Sequence, residues 1–148
     1  MSKAIGKLRS ETDIGIFVGI KYWIGSQTRY RLMYHLVWVP KFRRRVLKGK
    51  VAKRIEDLLF ECADLHRWKI EELNIQPDHV HILVQMRPEV SVSRMVQLFK
   101  GMSSRVVRDE FPDLKEFLWG KSFWADGYFA ETSGQVNESQ IREYIKNQ

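Results

Sequence analysis

Period-two alternation first appears in "YRLMYHLVWVP" (30–40), which is rich in β-branched and aromatic residues and stops at Pro40. Leu32, Leu36 and Trp38 share one face of that strand, and His35 points to the other. The period then lengthens. Val51, Ile55, Leu58, Leu59, Cys62 and Leu65 recur at helical spacing and predict an amphipathic helix from about 50 to 66. "WKIEELNI" (68–75) predicts a second strand, at a sheet edge because its charges discourage further pairing. Pro77 and Asp78 predict a tight turn into "HVHILVQM" (79–86), the third strand. There Val80, Ile82, Val84 and Met86 fall on one face, and His79, His81, Leu83 and Gln85 on the other. Ser91 or Ser93 caps a second helix carrying Val92, Met95, Val96, Phe99, Met102 and Val106, which ends near "FPDL". "SFWADGYFAET" (122–132) predicts a fourth strand with Gly127 as a bulge or bend. "NESQIREYIKNQ" (137–148) opens with Asn137 and Gln140 in capping-box spacing and predicts a short last helix.

The order β-α-β-β-α-β, then α, predicts an α+β protein of the ferredoxin-like plan with an additional C-terminal helix. Two helices then cover one face of a four-stranded sheet, and the opposite face, open, carries His79 and His81. Residues 1–28 read as an N-terminal extension, and 29–148 as one domain. Within the extension, "IGIFVGIKYWIG" (14–25) is too short, and too interrupted by Lys21, for the roughly 18 to 20 apolar residues of a membrane helix. The following "SQTRYR" lacks the small-residue pattern of a signal cleavage site. The stretch reads as a hairpin or a packed extension, and no membrane partner is expected.

Composition narrows the partner. With 148 residues, 44% apolar and 29% charged, the chain has the make-up of one globular domain. Its single cysteine, Cys62, excludes a disulfide framework, fits a reducing compartment and lies on a core stripe. Net charge is +7, which favours a polyanion because each neutralised phosphate releases counterions. The clustering says more than the total. Lys41, Arg43, Arg44, Arg45, Lys48 and Lys50 crowd one stretch, and Lys100, Arg105 and Arg108 line a later helix. Trp38, Phe42 and Phe99 stand among them, a mixture suited to tracking a backbone and stacking bases, although a solvated basic loop has the same look.

His79 and His81 project together because a strand has a period of two, and imidazole pairs suit divalent transition cations. Two donors make a poor site, so a third is required; without one, they are simply two polar-face histidines. Tyr144 and Gln148 lie one helical turn apart on one face of the last helix. Gln148 could offer an amide oxygen and Tyr144 a phenol beside a cation; the alternative is a packed tyrosine and a frayed terminus. Helical spacing alone leaves that choice open.

Together, "YHLVWVPKFRRRVL", "PDHVHILV", "FKGMSSR", "LWGKSFWADGYFAETSG" and "VNESQIREYIKNQ" resemble the single-tyrosine HUH transposases of bacterial and archaeal insertion sequences, the IS200-like family. The resemblance spans about 29–148. It implies that His79, His81 and Gln148 ligate Mg²⁺ or Mn²⁺ and that Tyr144 is the nucleophile. It also implies cleavage and rejoining of single-stranded DNA at element ends, through a 5′-phosphotyrosine and a free 3′-OH. Hairpin DNA ends are the implied partner, together with a homodimer whose composite sites draw the last helix from either subunit. A bacterial or archaeal cytoplasmic, nucleoid-associated location follows from the same resemblance. Lys41, Arg43, Arg44, Arg45, Lys100 and Arg105 are the candidates for DNA contacts. No G-x-x-x-x-G-K-[ST] loop is present, and such strand exchange conserves the phosphodiester energy, so no nucleotide cofactor is expected.

Other readings fit less well. A base-stacking recognition module of the same fold needs aromatics on the open face, and the third strand offers none there. A histidine-triad phosphoesterase needs a third histidine where Leu83 stands. A repeat-associated, domesticated relative that keeps the cleavage chemistry, or a non-catalytic binding module, remains the alternative.

Overall fold

The computed structural model describes residues 16–18, 22–24, 29–30, 32–115, 122–132 and 138–148. Three short strands come first: β1 (Ile16–Val18), β2 (Tyr22–Ile24) and β3 (Arg29–Tyr30). They form a small antiparallel sheet in which Ile16 pairs with Ile24 and Trp23 with Tyr30. The main domain then runs β4 (Leu32–Trp38), α1 (Gly49–His66), β5 (Lys69–Gln76), β6 (His79–Met86), α2 (Val92–Glu110), β7 (Phe129–Thr132) and α3 (Glu138–Lys146). Its antiparallel sheet has the order β5-β6-β4-β7. This is the predicted ferredoxin-like arrangement, with β5 at an edge.

The apolar stripes explain the layering. Leu36, Trp38, Ile82 and Val84 from the sheet meet Ile55 and Leu59 of α1 and Met95 and Phe99 of α2, all essentially without solvent exposure. Each such side chain contributes roughly 1.5–3 kcal/mol on burial. Trp38 stacks on Phe99 at 5.8 Å between ring centroids and takes the edge of Trp124 at 6.0 Å. Local chemistry sets the boundaries. The Ser91 hydroxyl accepts from the Arg94 N–H at 3.1 Å and starts α2. Arg67 adopts a left-handed conformation after α1, and the Trp68 N–H closes back on the Ala63 carbonyl at 2.9 Å. Cys62 is buried in this core, and desolvation pushes its thiol up to about 11.

Two expectations are corrected. The fourth strand does not run from 122: it is the short β7, preceded only by a bridge between Pro40 and Trp124. Gly127 bends the chain between them at φ +86°, a value that favours glycine. The carbonyls of Ala125 and Gly127 are held by the Lys100 ammonium, the first at 2.8 Å. The second correction concerns the open face, because α3 leans on one end of it. The capping pair Asn137/Gln140 and the connection around Gly134 fall where Asn137, Gly134 and the Gln140 side chain are outside the described residues.

Candidate active site

Strand register assembles the candidate site. Asn74, His81, Val37 and Phe129 form one row across β5, β6, β4 and β7. Glu72, Leu83, His35 and Glu131 form a neighbouring row on the same face. His79 extends that face beside Gln76. The predicted partition of β6 therefore holds: Val80, Ile82 and Val84 are buried under the helices, and both histidines lie half-buried opposite.

The His79 Nδ1–H donates to Asp78 Oδ1 at 3.0 Å. A carboxylate on one imidazole nitrogen fixes the ring and leaves Nε2 for a ligand. His81 Nε2 lies 3.0 Å from His35 Nδ1, one nitrogen donating and the other accepting. Burial pushes the His35 imidazole below its usual range, against the pull of Glu72 and Glu131. This third histidine is one that spacing alone did not reveal. Alternation places it on the correct face of its strand, but only the β4–β6 register brings it to His81.

Tyr144 packs its ring on Phe129, with 5.9 Å between centroids. Its hydroxyl is buried without a hydrogen-bond partner among the described residues, and desolvation raises its pKa above the ordinary phenol value. Phe129 ends the row that contains His81, two strand spacings or roughly 10 Å across the sheet. Tyr144 is thus brought to the histidine face by its own chain. Gln148 is not: it is exposed, and its amide donates to the Tyr144 carbonyl at 3.1 Å.

These donors fit a divalent cation in part. Two imidazoles on one face, one oriented by a carboxylate, suit Mn²⁺ or a neighbouring borderline ion and hold Mg²⁺ less readily. Among the described residues no group of three or more His, Cys, Asp or Glu side chains lies close enough to hold an ion. A third ligand has to be an amide or come from elsewhere.

The basic residues divide by environment. Arg44 and Arg45 are exposed, and Arg45 stands 4.0 Å from Asp78. Lys41 lies 5.7 Å from the Phe42 ring centroid. Arg43 Nη1 donates to the Ile145 carbonyl at 3.1 Å, where a cation also meets the negative end of α3. Lys100 is turned inward onto the two β7-side carbonyls, and burial lowers its pKa. Arg105 is exposed and, with Arg108 and Lys115, lines a cavity of about 430 Å³ floored by Phe111 and Phe123. That cavity sits at the end of α2, on the helical side of the sheet.

Known proteins resemble this chain. Residues 28–148 match the family described as "Transposase IS200 like". The ISDra2 transposase TnpA of Deinococcus radiodurans is 36% identical over 119 residues, covering 80% of this chain and 85% of that protein. The transposase for insertion sequence element IS200 of Salmonella typhimurium is 33% identical over 123 residues, covering 83% and 80%. A crystal structure assigned as a transposase from Deinococcus radiodurans R1 superposes with a TM-score of 0.79 at 34% identity, over 84% of this chain and 96% of that one. The REP-associated tyrosine transposase bound to a REP hairpin shares the fold at a TM-score of 0.52 and 11% identity, over 82% of this chain and 68% of that one. With its curated relatives all DNA transposases, this chain belongs to the IS200-like transposase family.

Proposed function

We propose that this transposase cleaves and rejoins single-stranded DNA at insertion-sequence ends, with Tyr144 as the nucleophile. The observation that carries this reading is the row Asn74–His81–Val37–Phe129, with Tyr144 packed on its last member. The Tyr144 oxygen forms a bond to the scissile phosphorus as the bond to the 3′ oxygen breaks. The phenol loses its proton and the departing oxygen gains one, leaving a 5′-phosphotyrosine and a free 3′-OH. A second 3′-OH then attacks that linkage, restoring the phenol and joining the strands. A buried phenol resists ionisation, so activation is needed.

His79, His81 and Gln148 would hold Mg²⁺ or Mn²⁺, which supplies Lewis-acid polarisation of a phosphate oxygen when bound. Asp78 orients His79 for that task, whereas His35 sits on Nε2 of His81 and would have to release that nitrogen for it to take the cation. Because Gln148 is turned back on its own helix, the reading includes a homodimer in which the last helix can complete a partner's histidine pair. Hairpins at the element ends are the recognised substrate feature; the fold-level neighbour with a bound REP hairpin supports this.

The test is covalent capture. The protein is incubated with labelled single-stranded element ends and Mn²⁺, then denatured in detergent. Wild type is expected to retain label on the protein, and Tyr144→Phe to bind the DNA but retain none. A persistent adduct in Tyr144→Phe would give the nucleophile's role to another residue.

A further inference from the structure

The fold separates the three aromatics that stand among basic residues in the sequence. Trp38 and Phe99 are fully buried against each other, whereas Phe42 is 57% exposed. A single exposed apolar residue is ordinary. Phe42 differs because its backbone is also unusual, with φ 60° and ψ 16°, followed by Arg43 at φ 50°. For a bulky side chain this left-handed geometry is a genuine outlier. Fixed neighbours impose it. The Lys41 N–H donates to the Phe123 carbonyl at 2.9 Å, and the Arg43 N–H donates to the Pro40 carbonyl at 2.8 Å. The Arg43 side chain is anchored in turn on the Ile145 carbonyl. A strained turn is thus maintained while the ring it carries stays in solvent, a combination that points to use.

The surroundings of the ring select its ligand. The Lys41 ammonium lies over one face of it, Arg44 and Arg45 follow it exposed, and no acidic residue occurs from 41 to 50. An exposed ring with a cation over one face and a basic stretch after it leaves its other face for a base carried on a phosphate backbone. Its position is also specific, because Arg43 binds the residue next to Tyr144.

We propose that Phe42 is a stacking platform for an unpaired nucleobase of the DNA strand, with Lys41, Arg44 and Arg45 on the flanking phosphates. This rests on the single-strand substrate proposed above. Stacking there sets the strand's position beside the helix that carries Tyr144.

The experiment measures full-chain affinity for hairpin-free oligonucleotides containing 2-aminopurine, with the Phe42→Asn and Phe42→Trp variants. Asparagine accepts the left-handed region, so Phe42→Asn removes the ring while relaxing the turn. The expected result is a higher Tm for Phe42→Asn together with binding weaker by roughly ten-fold or more. Phe42→Trp is expected to bind at least as tightly as wild type and to quench the 2-aminopurine. Unchanged affinity of Phe42→Asn, in a protein whose wild type forms the covalent adduct, overturns the platform and leaves the nucleophile assignment intact. Failure of wild type to bind the hairpin-free strands, while it still forms the covalent adduct with hairpin-bearing element ends, overturns the platform alone. A fall in sedimentation mass for Phe42→Asn would assign the ring to contact between copies of the chain and overturn the platform.

Discussion

The Asp78 carboxylate determines which nitrogen of its sequence neighbour His79 remains available to a ligand. Removing its charge while keeping its shape isolates that role. Asp78→Asn is expected to weaken Mn²⁺ binding roughly 10- to 100-fold, measured by calorimetry on the DNA-free protein with the fold checked by circular dichroism. An unchanged affinity would mean that His79 needs no orienting partner. The tight turn that sets Asp78 immediately before His79 was legible in the sequence, but not the hydrogen bond between them. Nor was the contact of His35 with His81. It joins residues 46 apart in the chain, and alternation along β4 says which face His35 takes but not which residue of β6 stands across from it.

At the level of elements, periodicity identified every helix and strand of the main sheet, and the exception is instructive. The stretch 122–132 has strand composition throughout, yet only Phe129–Thr132 pairs regularly. Between the Pro40–Trp124 bridge and the Val37–Phe129 pair, residues 125–128 stand opposite only 38–39, and the Lys100 side chain from α2 holds the carbonyls of Ala125 and Gly127 in that irregular stretch. No local pattern in the sequence reports such a long-range capture. Its energetic weight can be measured. Lys100→Met keeps the length of the side chain but leaves those carbonyls without their donor. It is expected to lower unfolding stability by about 1–3 kcal/mol in urea titrations, without altering the salt dependence of DNA binding. A loss of salt dependence would return Lys100 to the DNA-contacting set. The docking partners of α3 were equally hidden: the sequence puts Tyr144 and Gln148 on one face of the last helix, but Arg43 and Phe129, which meet Ile145 and Tyr144, come from distant parts of the chain.

Across the whole molecule, the net charge of +7 is distributed unevenly in function. Lys100 is committed to the fold, Arg43 to α3, and Arg44 and Arg45 face solvent beside the turn. Each phosphate contact to a single strand contributes about 0.7 to the slope of log affinity against log salt, so Arg44→Gln with Arg45→Gln is expected to reduce the slope by roughly 1.4. Fluorescence anisotropy at several salt concentrations measures it. An unchanged slope would remove both residues from the interface. Charge clustering in the sequence pointed to this stretch, but it could not distinguish cations that meet solvent from those that bind the protein itself.

Cys62, the only sulfhydryl of the chain, is sealed in the core with its ionisation pushed far above neutrality. Thiolate is the reactive form, so maleimide reagents will pass the native protein by. A cysteine placed at the exposed Asn147 therefore gives a uniquely addressable label just past the end of the last helix. Mixing donor- and acceptor-labelled copies then allows energy transfer to test whether that helix reaches a neighbour's sheet, without first engineering away any natural residue.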